Sequence, residues 1–336
     1  MNNELIIYTL LSFLLLFLFA KISYKLNLVD LPNKRKIHNK NIAYTGGIAI
    51  SFILVLSILL LEVSDNSLNS IFSIAFLISI IGLVDDKYNL NVGGKLSLQI
   101  IPIFYLIIFE NLNLNQLGDY NYFKLELGTF KIPFTLICVL FLINSFNYFD
   151  GLDGVLSFTT ISVLAILYFL TSDQNTHLFL IIILIPIIIF LFFNFSFLKL
   201  PKMFLGDSGS LLIGFIISFV LIYFVNQNLT HPILLAWSIA IFVYEFLSIN
   251  LIRLKDKKNL FKAGQDHIHH VLFKKTKSIF LTNFFITLTN IILFILGYLS
   301  FILISPLASL ILFIFLFVIF FVLRDKYSNK YKNTII

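Results

Sequence analysis

Long apolar runs alternate with short polar stretches along nearly the whole chain. A helix crossing the hydrocarbon core of a bilayer needs roughly 20 apolar residues, slightly fewer where its ends reach the interface. Read by that rule, candidate spans lie at 5–20, 46–62, 68–84, 97–110, 132–148, 155–171, 177–195, 209–226, 232–252, 279–300 and 302–323. The fourth is short and interrupted by Pro102, and only "LISP" separates the last two, which predicts a tight hairpin. The expected fold is all-α: a polytopic integral membrane helical bundle of about eleven transmembrane helices. It forms one domain over 1–336, with loops 21–45, 85–97, 149–154, 196–210 and 253–278 on one side. No internal repeat is visible, which counts against an inverted-repeat transporter.

Composition agrees: 59% of residues are hydrophobic, mean hydropathy is +0.97 and only 12% are charged. Soluble domains carry about twice that charge, so a soluble globular protein is excluded. The single cysteine, Cys138, allows no internal disulfide. "MNNEL" has no basic region and the first run has no small-residue exit, so a retained helix is expected rather than a cleaved signal.

Charge gives the orientation. When the loops are sorted alternately, 22 of the 24 Lys and Arg residues fall on one side, leaving Lys124 and Lys131 on the other. The basic side of a membrane protein is cytoplasmic, so the N-terminus is expected outside and the C-terminus in the cytoplasm.

Five polar clusters fall on the basic side: "DLPNKRKIHNKN" followed by "YTGG", then "GLVDD", "NSFNYFDGLDG", "GDSGS" and "HIHH". Asp85, Asp86, Asp150, Asp153 and Asp207 would crowd into one shallow layer, where like charges repel unless a cation sits among them. Hard oxygen ligands beside lysines suit Mg²⁺ or Mn²⁺ with a phosphate substrate better than zinc. Each cluster also has a plainer reading. The Asp pair can be solvated in a short loop. Asn144, Asn147 and Asp150, on one helix face before a turn at Gly151, can be a satisfied helix terminus. "GDSGS" can be an ordinary N-cap, or its N–H groups can receive an anion. The histidines can be a basic loop, phosphate or sugar contacts, or a metal site. Lys34, Arg35 and Lys36 can be a membrane anchor. Glu245, inside the ninth run, should face the bundle interior, with Arg253 as its expected partner.

The five motifs, in this order over residues 25 to 275, resemble the polyprenyl-phosphate N-acetylhexosamine-1-phosphate transferase superfamily (glycosyltransferase family 4). The nearest likeness is to the bacterial undecaprenyl-phosphate GlcNAc-1-phosphate transferases. The resemblance implies that a polyprenyl phosphate attacks a UDP-N-acetylhexosamine at the phosphorus bearing the sugar, with release of UMP. It implies a Mg²⁺ cofactor, or Mn²⁺, held by Asp207 with Asn147, and Asp85 and Asp86 as the catalytic pair. It implies substrate binding by Asn144, Asp150, Asp153, Lys34, Arg35, Lys36, His38, His267, His269 and His270. The implied location is a bacterial inner membrane with the site facing the cytoplasm. Expected partners are the UDP-sugar, the polyprenyl phosphate lipid, the membrane and a second copy in a homodimer; nucleic acid is not expected. The chain departs from the family at "NKNIAYTGG", at Asn89 and at "AGQD", in loops where the sugar is expected to be read. The competing classes are a transporter or flippase for a lipid-linked or anionic substrate and a polyprenyl-diphosphate phosphatase.

Overall fold

The computed structural model describes residues 2–32, 40–61, 63, 65–258 and 267–333. Lys34, Arg35, Lys36 and His38 lie outside the described residues. The apolar runs fold as helices, in order α1 (Asn2–Lys25), α2 (Gly46–Leu60), α3 (Asn66–Tyr88), α4 (Val92–Ile108), α5 (Lys131–Phe149), α6 (Val155–Leu170), α7 (Gln174–Asn194), α8 (Gly206–Asn226), α9 (Pro232–Ser238), α10 (Ala240–Lys255), α11 (Ile268–Thr276), α12 (Ile279–Leu303) and α13 (Pro306–Asn333). Two small antiparallel pairs accompany them, β1 (Val29–Asp30) with β2 (Ile42–Ala43) and β3 (Gln116–Asp119) with β4 (Lys124–Glu126).

Among the described residues, seven helices are long and apolar enough to cross a membrane, or eight if α9 and α10 count as one bent span. The apolar helices α2, α4 and α6 are shorter, at 15, 17 and 16 residues. The chain is an integral membrane protein, and its described residues are all-α apart from the two strand pairs. Pro102 does not interrupt α4, which runs through it with the proline buried. The "LISP" hairpin forms as expected, and α13 begins at Pro306, where a missing N–H is no loss.

The bundle is organised around α8, whose apolar stretch is wholly buried against α3, α5 and α2. Glycine allows this approach at two crossings near the basic end of α8. A Cβ on Gly47 would collide with the backbone of Gly209, and one on Gly82 with the backbone of Ser208. Aromatic stacking closes the next layer: Phe146 on α5 lies flat on Phe242 of α10, with ring centroids 3.9 Å apart. By contrast α13 is largely uncovered, and Ile311, Ile314, Phe315 and Val318 face outward as lipid-contacting residues do.

The ninth apolar run breaks at Ile239, and its two helices diverge by 72°. A break at membrane depth frees backbone groups that lipid cannot satisfy. Asn290 on α12 satisfies them: its Nδ2 donates to Ser238 O at 3.0 Å and its Oδ1 accepts from Ile241 N at 3.4 Å. The same Nδ2 donates to Ser162 Oγ at 3.1 Å, tying in α6. Asn290→Leu should therefore destabilise the bundle by about 1–3 kcal/mol, the cost of buried polar groups left unpaired. Thermal unfolding in detergent checks this, with Thr289→Leu on the exposed side of α12 as the control that should stay near wild type.

Candidate active site

The basic-side ends of α3, α5 and α8 and the starts of α2 and α6 meet in one layer. The tie between the first and fourth clusters is backbone pairing. Phe204 N donates to Ala43 O at 2.7 Å, Gly46 N to Phe204 O at 3.1 Å and Gly47 N to Leu205 O at 2.9 Å. These bonds lock the start of α2 beside the start of α8.

Asp85 and Asp86 are successive residues of one helix, about 100° apart around its axis, so they face different neighbours. Asp86 accepts from Asp207 N at 2.9 Å and Ser208 N at 3.2 Å. The N–H groups of the "GDSGS" turn thus do receive an anion, and it is the protein's own carboxylate. Asp85 accepts from Leu90 N at 2.8 Å and pairs with Lys95 at 2.6 Å. The Lys95 ammonium also contacts Asp207 Oδ2 at 2.6 Å, so one cation bridges two carboxylates from α3 and α8. Asn147 donates to the other Asp207 oxygen at 3.0 Å and to Ser210 Oγ at 2.8 Å. Asn144 turns away, bonding Leu140 O of its own helix at 2.7 Å.

A cavity of about 680 Å³ opens beside this layer. Asp86, Asp150, Asp153 and Asp207 line one part of it. Lys202 and Lys274 supply positive charge, with Lys202 bound to Asp153 at 2.6 Å, and His270 adds an imidazole. Leu156, Phe190, Phe273 and Ile279 form an apolar wall. Burial, with the nearby carboxylates of Asp207 and Asp153, pushes Asp150 up to about 8.

The turn between α5 and α6 differs from expectation. The left-handed residue is Gly154, at φ +78°, whereas Gly151 is required for space: a Cβ there would strike the His269 ring. The three histidines accordingly have different surroundings. His270 lines the cavity. His269 is 1% exposed, packed under Gly151, and neither ring nitrogen has a hydrogen-bond partner among the described residues. His267 lies edge-on to Tyr148, with ring centroids 4.9 Å apart.

A divalent cation fits the donor set on one observation. Asp207 already holds a cationic group, with the oxygen-bearing side chains of Asn147 and Ser210 beside it. Among the described residues no three His, Cys, Asp or Glu side chains form a closed metal cage. Mg²⁺ needs none, since it binds through one or two carboxylates, waters and substrate phosphates.

Of the residues singled out from the sequence, Asp85, Asp86, Asn147, Asp150, Asp153, Asp207 and His270 lie together here. Sequence reasoning missed Lys95, Lys202 and Lys274, which it treated only as orienting charge. Their signal was position: each lies on the basic side within ten residues of a site motif. Glu245 is buried as expected, and Arg324 of α13 binds it through two bonds.

A helical membrane bundle with carboxylates and lysines around one half-apolar cavity defines a class of enzymes that handle anionic groups at a lipid boundary. The family described as glycosyl transferase family 4 matches residues 68–225. The undecaprenyl-phosphate alpha-N-acetylglucosaminyl 1-phosphate transferase of Escherichia coli O157:H7 is 30% identical over 281 residues, covering 81% of this chain and 76% of that protein. The protein of the same description from Yersinia pestis is 28% identical, covering 82% and 77%. A probable undecaprenyl-phosphate N-acetylglucosaminyl 1-phosphate transferase of Bacillus subtilis (strain 168) is 28% identical, covering 75% and 71%. The chain belongs to glycosyl transferase family 4.

Burial, followed by the charges of His270, His267 and Arg324, holds His269 well below its ordinary value of 6.5. The unfolded chain therefore takes up this proton first as pH falls through about 6.5, and the folded state loses stability by up to about 1.4 kcal/mol per pH unit down to the folded pKa. Asp150 acts with the opposite sign, because its raised pKa favours the folded state as pH falls below about 8. The expected outcome is thus a difference: the melting temperature of wild type minus that of His269→Phe should drop steadily between pH 7 and pH 5. Parallel melting curves would show that His269 is not held neutral.

Proposed function

We propose that this protein transfers an N-acetylhexosamine 1-phosphate from a UDP-sugar to a polyprenyl phosphate, giving polyprenyl-diphosphate-sugar and UMP. The observation that carries the reading is the composite cavity, lined by carboxylates and lysines together with apolar side chains, in a member of a family whose relatives are described as undecaprenyl-phosphate transferases. A soluble nucleotide donor and a lipid acceptor need such a shared boundary. Glu245, the one acidic residue well inside an apolar run, pairs with Arg324 within the protein, so nothing favours a transporter.

The acceptor phosphate, with a second pKa of about 6, is mostly a dianion at neutral pH and hardly needs a general base. The barrier is repulsion between two phosphorus groups. An oxygen of the lipid phosphate attacks the phosphorus bearing the sugar, and the bridging oxygen departs with its bonding electrons on UMP. Lys202 and Lys274 are placed to attract both anions into the cavity. Lys95, bridging Asp85 and Asp207, offsets part of their negative charge and so lowers the repulsion the substrates meet. Asp86, by capping α8, fixes Asp207, and Asn147 fixes the plane of its carboxylate. Mg²⁺ at Asp207, with Asn147, would supply charge stabilisation on the transferred phosphoryl group. Direct displacement requires no further residue, and it is the route we favour over an aspartyl-phosphate intermediate.

Within the same proposal α2, α4 and α6 complete eleven crossings of a bacterial inner membrane. The N-terminus then lies outside, and the C-terminus and the cavity face the cytoplasm, as the distribution of lysines and arginines supports.

UMP release from UDP-N-acetylhexosamines, with undecaprenyl phosphate as acceptor, tests the reading. Wild type should release UMP only when the lipid is present; free phosphate without UMP would instead indicate a phosphatase. Asp207→Asn should lower kcat at least about 100-fold, and chelation by EDTA should do the same to wild type. Lys95→Met should lower kcat by a similar factor, and Asp85→Asn added to it should recover part of the thermal stability lost, because it removes one of the two facing carboxylates. Cysteines placed at Lys87 and Lys257 should react with an impermeant reagent only from the cytoplasmic side, and one at Tyr122 only from outside; the reverse would invert the orientation.

A further inference from the structure

Glu245 and Arg324 form a deeply buried ion pair, with side chains 1% and 8% exposed. The geometry is a fork: Arg324 Nε donates to Glu245 Oε2 at 2.9 Å and Nη2 to Oε1 at 2.8 Å. Glu245 Oε1 also accepts a bond from Ile268 N at 2.8 Å. Ile268 opens α11, the nine-residue helix that carries His269 and His270. The first N–H groups of a helix lack acceptors within it, and the preceding residue, His267, makes no side-chain cap. A carboxylate from α10 therefore caps α11 in trans, where it also complements the positive end of the helix dipole.

A helix this short has little stability of its own. Its orientation must come from outside contacts: the Glu245 cap at its start, packing against α12, the seat of His269 under Gly151 and the Lys275 ammonium over the Tyr327 ring of α13. Arg324 matters because losing one partner of a buried pair leaves the other charge less compensated, and because its planar fork sets the carboxylate rotamer so that Oε1 points at Ile268 N. The pair thus connects three elements: α13, α10 and the histidine helix.

We propose that Glu245 and Arg324 are positioning residues for the histidine helix, holding α11 so that His270 faces the cavity and His269 stays seated under Gly151. Neither residue lines the cavity, so neither is catalytic. The kinetic part of the test rests on the transferase reading above; the exchange part does not.

Full-length wild type, Arg324→Gln, Arg324→Lys and Glu245→Gln are compared in detergent by amide hydrogen exchange. In Arg324→Gln and Glu245→Gln the segment 267–276 should exchange about tenfold faster or more, while α8 keeps wild-type protection. Arg324→Lys, which keeps the charge but loses the fork, should fall between. Unchanged exchange at 267–276, or equal loss across α8 and α11, overturns the proposal by showing no specific link or only a general packing role. If Glu245→Gln does not fold, the two Arg324 variants decide alone. In the kinetic part, the KM for the UDP-sugar should rise about tenfold in Arg324→Gln with the KM for the lipid phosphate within about twofold of wild type. Equal rises in both would overturn a role through the histidine helix. A wild type that releases no UMP refutes the transferase reading and leaves hydrogen exchange to judge the positioning.

Discussion

The Asp86 carboxylate binds the first N–H groups of α8 in the wall of the cavity, and the arrangement around it depends on that contact. A helix N-terminus carries partial positive charge and unsatisfied donors. Asp86 meets both needs, and in doing so it places Asp207, the second residue of α8, beside α3. Asp207 is then close enough to Asp85 that the two would repel, and Lys95 lies between them at 2.6 Å from each. The cap thus brings the carboxylates together and the lysine makes their proximity tolerable. Removing either would leave buried or half-buried charge uncompensated.

That constraint explains why α8 is the most deeply packed helix of the bundle. Its basic-side end has to approach α2 and α3 closely enough for backbone and carboxylate to touch, and glycine at positions 47, 82 and 209 gives that proximity. The rest of α8 is apolar and enclosed, so it cannot tilt without opening the core. A site with parts from α3, α4, α5, α8 and α11 needs this rigidity, because those segments are far apart in sequence. The apolar cavity wall comes from the same packing: Leu156 and Phe190 belong to helices whose neighbouring residues are core.

Much of this was legible in the sequence because two signals there are direct. Apolar runs report spans, and each of the expected runs is helical. The polar interruptions reported the site, because amides and carboxylates at the end of an apolar run have few other reasons to be there. What the sequence hid was direction. Asp85 and Asp86 read as one pair, but helical geometry sends them to different partners. "HIHH" read as one cluster, but His270 lines the cavity while His269 is sealed under a glycine. Gly151 read as a turn residue, yet its need is space, and Gly154 carries the positive φ. Lys95 read as one more orienting charge, because its partners are ten and 112 residues away and only folding brings them to it. The bend at Ile239 had no signal in its own segment; the residue that stabilises it, Asn290, lies on α12.

The family match covers 68–225, which holds the carboxylates and the core of the bundle but neither the histidine helix nor the last two spans. Geometry nevertheless binds that outer part to the site. Asn283 of α12 donates to Asp153 O at 2.9 Å, supporting the loop that bears Asp150 and Asp153. Glu245 of α10 holds the start of α11, and Arg324 of α13 holds Glu245. Each of these contacts ends on a backbone group or a fixed carboxylate rather than on the cavity. Their effect is therefore to set where the cavity residues His270, Phe273 and Lys274 stand relative to Asp207. The carboxylates of the cavity are held by α3, α5 and α8, and His270, Phe273 and Lys274 come from α11, which α10, α12 and α13 hold in place. The room for two reacting phosphorus groups is therefore a property of how the two sets of helices pack.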